Sequence, residues 1–186
     1  MTQLTIVRHG ETEWSRNGRY TSITDLELTD KGKEEARRLG QRLDPAEYGI
    51  QLTSPRTRAR TTAALAGFTA AEVDPDLAEW FYGDFEGRTT AQILGVDPSW
   101  RIWTSHVPGG EQSADVIARL TRVVNRIRFS GVDKAICFAH GHALRTLALC
   151  WIGLDVAYGG AFPLRTGGVS ILGYEKQTPA ILTWNS

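Results

Sequence analysis

Apolar residues along the chain switch between two periods, and the switches predict alternating strands and helices. Leu4-Thr5-Ile6-Val7 is a short β-branched run that halts at Arg8-His9-Gly10, as a buried strand feeding a loop does. Trp14 to Leu28 is polar and irregular, so a loop is expected there. Thr29 can cap a helix running to about Leu43, with Ala36, Leu39 and Leu43 on one face, and Asp44-Pro45 ends it. Ile50 to Thr53 is a second strand. Ser54 at an N-cap and Pro55 at a first helical position then open a helix that Gly67 closes. Glu72 to Asp74 suits a third strand.

Residues 77–110 carry no strong period, although Thr89–Leu94 and Ser99–Thr104 suit short helices. This Trp-rich and Gly-rich stretch is expected to run over the active face. From Glu111 to Phe129 the positions Val116, Ile117, Leu120, Val123, Val124 and Ile127 have helical spacing, with Arg119, Arg122 and Arg126 assigned to the other side. Lys134 to Ala139 is a second buried strand that ends in His-Gly. Ala143 to Ile152 reads as a buried helix, and Val169–Tyr174 with Ala180–Trp184 as a closing strand pair. Strands alternating with helices predict an α/β fold, a three-layer αβα sandwich around a mostly parallel sheet of about six strands. In such sheets ligands sit beyond the carboxyl ends of the strands. Neighbouring strands would therefore bring His9-Gly10 and His140-Gly141 together at that rim.

Composition adds limits. The chain has 186 residues, of which 41 % are apolar, enough for the core of one domain spanning 1–186. Its formal net charge is zero, with 21 basic and 21 acidic side chains, so no nucleic-acid or anionic-membrane partner is indicated and any anion site must be local. Cys137 and Cys150 lie in apolar runs and read as buried hydrophobes. No apolar run reaches the ~20 residues of a membrane helix. The N-terminus has no signal-peptide pattern, so a cytoplasmic protein is expected.

Four features carry candidate chemistry. A histidine at a strand end, such as His9, can use one ring nitrogen as a nucleophile while a carbonyl fixes the other, although a lone His after a strand is more often a structural residue. Arg58 in the first turn of a helix leans toward that helix's N-terminus, where free N–H groups and the dipole favour an anion, and its fork suits phosphate oxygens. Arg56 and Arg60 read as solvated. Glu79 precedes Trp80-Phe81-Tyr82, and a carboxyl against aromatic surface suits a general acid, although an ordinary surface Glu explains it equally. His140-Gly141-His142 could help neutralise a phosphoryl group or join His9 at a metal. No third-ligand motif supports the metal. His106 has no supporting context, and Gly109-Gly110 before a helix is weak evidence of phosphate binding.

Together these segments resemble the histidine phosphatase superfamily, the clan of cofactor-dependent phosphoglycerate mutases and many acid phosphatases. The matching pieces are Arg8 to Trp14, Leu28-Thr29 with Gly32, Ser54 to Ala59, Leu77 to Trp80 with Gly83 and Glu86-Gly87, Pro108 to Glu111, and His140-Gly141, in the family's order across nearly the whole chain. The resemblance implies that His9 accepts the phosphoryl group, that Arg8, Arg58 and His140 line the phosphate pocket, and that Glu79 serves first as proton donor and then as base for water. It implies no metal and no other cofactor. Ser15 stands where many members carry Asn, and Gly18 to Asp25 looks like a subgroup of acid and sugar-phosphate phosphatases, with Ser22 where Gly is usual. Ser15, Tyr20, Thr21, Ser22, Gly141 and His142 are thus candidate substrate contacts.

The mutases are longer, with an extra basic segment after the Glu79 position. Here Gly83 to Pro108 is short, with Arg88 and Arg101 its only Lys or Arg. Hydrolysis of a small phosphate ester is therefore expected over mutase activity, or over a non-catalytic phosphate-binding role. The aromatic content near the site fits a sugar phosphate or another small organic phosphate, and ordinary packing as well. Apolar edges near the C-terminal strands would permit a homodimer.

Overall fold

Strand period decides what covers each face of the sheet. In the computed structural model, which describes residues 1–186, β1 (Gln3–Arg8) turns Leu4 and Ile6 to one side and Val7 to the other. β4 (Lys134–Ala139) divides likewise, with Ala135, Cys137 and Ala139 on the first face and Ile136 and Phe138 on the second. Both faces are buried, so both strands read as continuous apolar runs rather than alternating ones. The first face packs against α5 (Ser113–Arg128) and α6 (Gly141–Ile152), whose Val116, Leu120, Val124, Leu144 and Leu147 join the larger core. The second packs against α2 (Asp30–Leu39) and α3 (Thr57–Leu65) through Leu39 and Ala63, with Phe68 just beyond α3.

Six strands form one sheet in the order β3-β2-β4-β1-β5-β6, where β2 is Ile50–Thr53, β3 Glu72–Val73, β5 Val169–Glu175 and β6 Thr178–Thr183. The first four are mutually parallel, and β5 and β6 add an antiparallel edge. The expected αβα sandwich is the observed one. β1 and β4 are neighbours in register from Gln3↔Lys134 to Arg8↔Ala139, so His9 and His140 leave the sheet side by side.

Some boundaries differ from the sequence reading. The supposed loop from Trp14 begins inside α1 (Glu13–Arg16), which a reciprocal Thr12–Ser15 capping box opens. α2 stops at Leu39, four residues short of Leu43. Ser54 is not the N-cap of α3. Its N–H continues the sheet to the Phe138 carbonyl and its hydroxyl meets His140, so the cap falls on Arg56 and Pro55 lies outside the helix. Thr89 does cap α4 (Thr90–Leu94), but Ser99–Thr104 is a run of turns, shaped by burial of Trp100, Ile102 and Trp103 rather than by a helical period. Arg119 faces inward, against the assignment to the solvated side, because Glu111 meets it there.

The loop after β1 is pressed against the start of α2. A Cβ on Gly10 would lie 2.3 Å from the Gly32 carbonyl oxygen, and one on Gly32 would lie 2.1 Å from that of Glu11. Backbone cannot yield as a flexible side chain does. Gly32→Ala should therefore lower stability by about 1–3 kcal/mol, the usual range for overpacking, read as a lower urea midpoint; an unchanged midpoint would show that the contact is slack.

Candidate active site

His9 begins where β1 ends, its N–H bonded to the Ala139 carbonyl of β4 at 3.0 Å. Its Nδ1 lies 2.8 Å from the Gly10 carbonyl oxygen, which can only accept. Nδ1 therefore carries the proton and Nε2 keeps a free lone pair. The ring is 5 % exposed, and burial, followed by the charges of Arg58 and Arg8, pushes its pKa well below the usual histidine value, against a smaller opposing pull from the Gly10 carbonyl. The His140 ring stands edge-on to it at 5.2 Å. His140 is fully buried, its Nε2 lies 2.7 Å from the Ser54 hydroxyl, and its Nδ1 has no protein partner. Burial first, then Arg58, His9 and Arg8, hold its pKa well below normal also.

Both rings are thus neutral in the folded protein at pH 7. Below about pH 6.5 the unfolded chain takes up protons that the folded chain refuses, so stability rises with pH across that window and is lost as pH falls. Each histidine contributes a slope approaching about 1.4 kcal/mol per pH unit. The urea midpoint should be clearly lower at pH 5.5 than at pH 7.5, and equal midpoints would contradict the neutral assignment.

Arg58, in the first turn of α3, is fully buried. Nη1 donates to the Thr24 carbonyl at 3.1 Å, and Nη2 to those of Thr21 and Ser22 at 3.0 and 3.3 Å, while Nε has no protein partner. The same short loop is gripped from its other side. The Glu86 carboxylate accepts the N–H groups of Ser22 and Thr24, and the Asp25 carboxylate caps α3 through the Thr57 N–H and hydroxyl. Ser22 is buried, with its hydroxyl directed to the Glu79 carbonyl and its N–H held by Glu86, so it is not placed to touch substrate. Arg8 donates through Nη1 to the Leu164 carbonyl, and its Nε is unsatisfied. Its guanidinium carbon lies 3.4 Å from where a Cβ of Gly141 would be, a close approach that a side chain there would crowd.

Glu79 is 6 % exposed, and it meets a helix N-terminus as well as Tyr82 of the expected aromatic stretch. Oε1 accepts from the Ala143 and Trp80 N–H groups at 2.8 and 2.9 Å, and Oε2 from the His142 N–H at 3.1 Å. Two of these donors are N–H groups at the start of α6, so both carboxyl oxygens are held in place by that helix.

A cavity of about 240 Å³ joins these groups. Arg8, His9 and Glu79 line it, and so do the expected contacts Ser15, Tyr20, Thr21, Gly141 and His142. Arg58 and His140 are not among its lining residues; both are fully buried beside His9. Sequence reasoning named Tyr82 only among the aromatic residues near the site, and missed Thr90, Arg19 and Arg145 on its walls. Arg145 was findable as the lone charge in the nearly apolar α6. It lies 4.8 Å over the Trp103 ring and donates to the Gly141 and Gly159 carbonyls. Tyr82 has its hydroxyl 2.6 Å from His142 Nδ1, and the His142 ring stacks on Tyr20 at 5.6 Å. No three His, Cys, Asp or Glu side chains gather as they would around a metal ion. The arrangement offers a neutral imidazole nitrogen, arginine donors and one carboxyl, which suits in-line transfer of a phosphoryl group.

Comparison with known proteins agrees. The pattern of the histidine phosphatase superfamily (branch 1) matches residues 4–186. The chain is 41 % identical over 176 residues to an acid phosphatase of Mycobacterium tuberculosis, covering 93 % of this chain and 87 % of the relative. It is 38 % identical over 183 residues to sedoheptulose 1,7-bisphosphatase of Saccharomyces cerevisiae, covering 81 % and 68 %. The solved structure of an open reading frame product of M. tuberculosis superposes with a TM-score of 0.94 at 38 % identity, covering 99 % of this chain and 97 % of that one.

Proposed function

Since the chain belongs to the histidine phosphatase superfamily, branch 1, and is a phosphoric monoester hydrolase acting on small phosphate esters, we propose that it works through a phosphohistidine on His9. The observation that carries this reading is the neutral, buried imidazole with Nδ1 fixed on the Gly10 carbonyl and two arginines beside it.

Nε2 attacks phosphorus opposite the ester oxygen. The N–P bond forms as the P–O bond breaks, and Glu79, in its protonated form, gives its proton to the departing alkoxide. Arg8, Arg58 and His140 stabilise the equatorial oxygens through the buried N–H groups that no protein atom satisfies. Water then attacks phosphorus, Glu79 takes its proton, and Nε2 recovers its electron pair as inorganic phosphate leaves. Arginines occupy the position of charge neutraliser that a metal holds elsewhere, so a chelator should leave the rate unchanged. Loss of activity in EDTA would overturn that part.

The substrate we propose is a sugar phosphate or a comparable small organic phosphate. The hydroxyls of Ser15, Tyr20, Thr21, Tyr82 and Thr90 on the cavity walls suit a polyol, and a relative is named for a sugar bisphosphate. Phosphate release measured across sugar phosphates, phosphoglycolate, phosphoserine and nucleotides tests this, with sugar phosphates expected to lead. Robust isomerisation of 3-phosphoglycerate in the presence of 2,3-bisphosphoglycerate would replace hydrolysis with mutase activity. No helix is long and apolar enough to cross a membrane. With both cysteines unpaired, a reducing compartment suits the protein, and we place it in the cytoplasm.

A further inference from the structure

We propose that Arg119 and Glu111 are positioning residues for the general acid, holding the backbone on both sides of Glu79; this rests on the reading of Glu79 as the proton donor. Residues 78–82 belong to no helix or strand, so no ladder satisfies or fixes their backbone groups. The ion pair does so instead. Arg119 meets Glu111 as a two-pronged fork, Nε to Oε1 at 2.7 Å and Nη2 to Oε2 at 3.0 Å. Its remaining nitrogen, Nη1, donates to the carbonyls of Asp76 and Ala78 at 2.6 and 2.8 Å, the latter immediately before Glu79. Beyond Glu79, Glu111 Oε2 accepts the Phe81 N–H at 2.8 Å, the Glu111 carbonyl accepts the Trp80 indole N–H at 2.8 Å, and the Glu111 N–H donates to the Phe81 carbonyl at 2.9 Å.

Arg119 is 8 % exposed, and removing an arginine from water brings a desolvation cost that apolar residues of the same volume would avoid. Stability alone therefore explains the pair poorly. What the fork supplies is geometry. Arg119 stands on the long helix α5 and Glu111 just before it. A rigid element thereby sets the irregular segment against α6, where the Glu79 carboxylate sits on the His142 and Ala143 N–H groups. A proton donor must lie within hydrogen-bond reach of the leaving oxygen, and an error of about 1 Å can cost about 10²-fold in rate. Lysine keeps the charge of Arg119 but cannot span the carboxylate and both carbonyls at once.

Leaving-group chemistry separates this role from a structural one. Arg119→Lys is assayed on glycerol 2-phosphate, whose alkoxide needs a proton, and on p-nitrophenyl phosphate, whose phenolate does not. We expect kcat on glycerol 2-phosphate to fall by up to about 10²-fold, with little change on p-nitrophenyl phosphate. The double variant with Glu79→Gln should be no slower on glycerol 2-phosphate than Glu79→Gln alone, since the clamp acts through that carboxyl. Equal losses on both substrates, or no loss on either, would overturn the proposal. Should Arg119→Lys fail to fold, Glu111→Gln carries the same comparison. Glu79→Gln alone tells the two readings apart: if it does not discriminate between the substrates, the general-acid reading falls and the clamp with it; if it does while Arg119→Lys does not, the clamp alone falls.

Discussion

His9→Ala should abolish turnover and the covalent phosphate on the protein together. Phosphohistidine is labile in acid and stable in base, so brief exposure of the wild type to labelled substrate, followed by a denaturing quench, should leave a label with that signature. Neither neighbouring histidine is expected to replace Nε2: His140, its Nε2 engaged by Ser54, presents Nδ1 as an N–H donor to the phosphate, and His142 is tied through Nδ1 to Tyr82. Loss of a covalent nucleophile leaves only the rate that binding and oxyanion stabilisation provide, and a fall in kcat of about 10⁴-fold or more is expected. A wild type that takes no label would point to a bound phosphate without chemistry. A label that persists in His9→Ala would move the nucleophile elsewhere.

Glu79→Gln should show the second-largest loss, about 10²–10⁴-fold on alkyl phosphates, the usual contribution of a general acid. The substitution preserves shape but changes which atoms can accept. The carboxylate receives three backbone N–H groups across both oxygens, and an amide turns one of those oxygens into a donor facing a donor. Some loss will therefore come from displacement of the side chain. The diagnostic quantity is the ratio between substrates: p-nitrophenyl phosphate should suffer much less than an alkyl phosphate. Equal losses would mean that the group places the substrate and donates no proton.

Local pattern carried much of this fold, and long-range contacts carried the rest. β1 and β4 were legible because strands buried on both faces form unbroken apolar runs, and their shared His-Gly endings foretold the rim where His9 and His140 meet. Arg58 was legible from its place in a first helical turn. Its partners were not, because they are carbonyls of a loop more than thirty residues earlier. The residue type at position 79 suggested an acid, but its neighbours in sequence gave only part of the surroundings, since two of the donors that hold it come from α6. Ser22 followed a family position into the list of contacts, yet its N–H was taken by Glu86. Arg119 stands three residues after Val116 and four before Val123, so helical spacing already put it beside the buried face, but an inward-facing charge is readable only when its partner is known, and Glu111 lies before the helix.

The pairing of β1 with β4 also sets the order in which the enzyme comes into being. Gln3 can pair with Lys134, and Arg8 with Ala139, only after the whole segment between them has been made. Contacts of such sequence separation form slowly, because the loop they close loses its freedom before the contact rewards it. His9 leaves the ribosome long before His140, and it gains the neighbour that completes its surroundings only with the second His-Gly. During refolding from denaturant, catalytic competence should therefore return with the slowest phase of native sheet formation, after helical signal has already recovered.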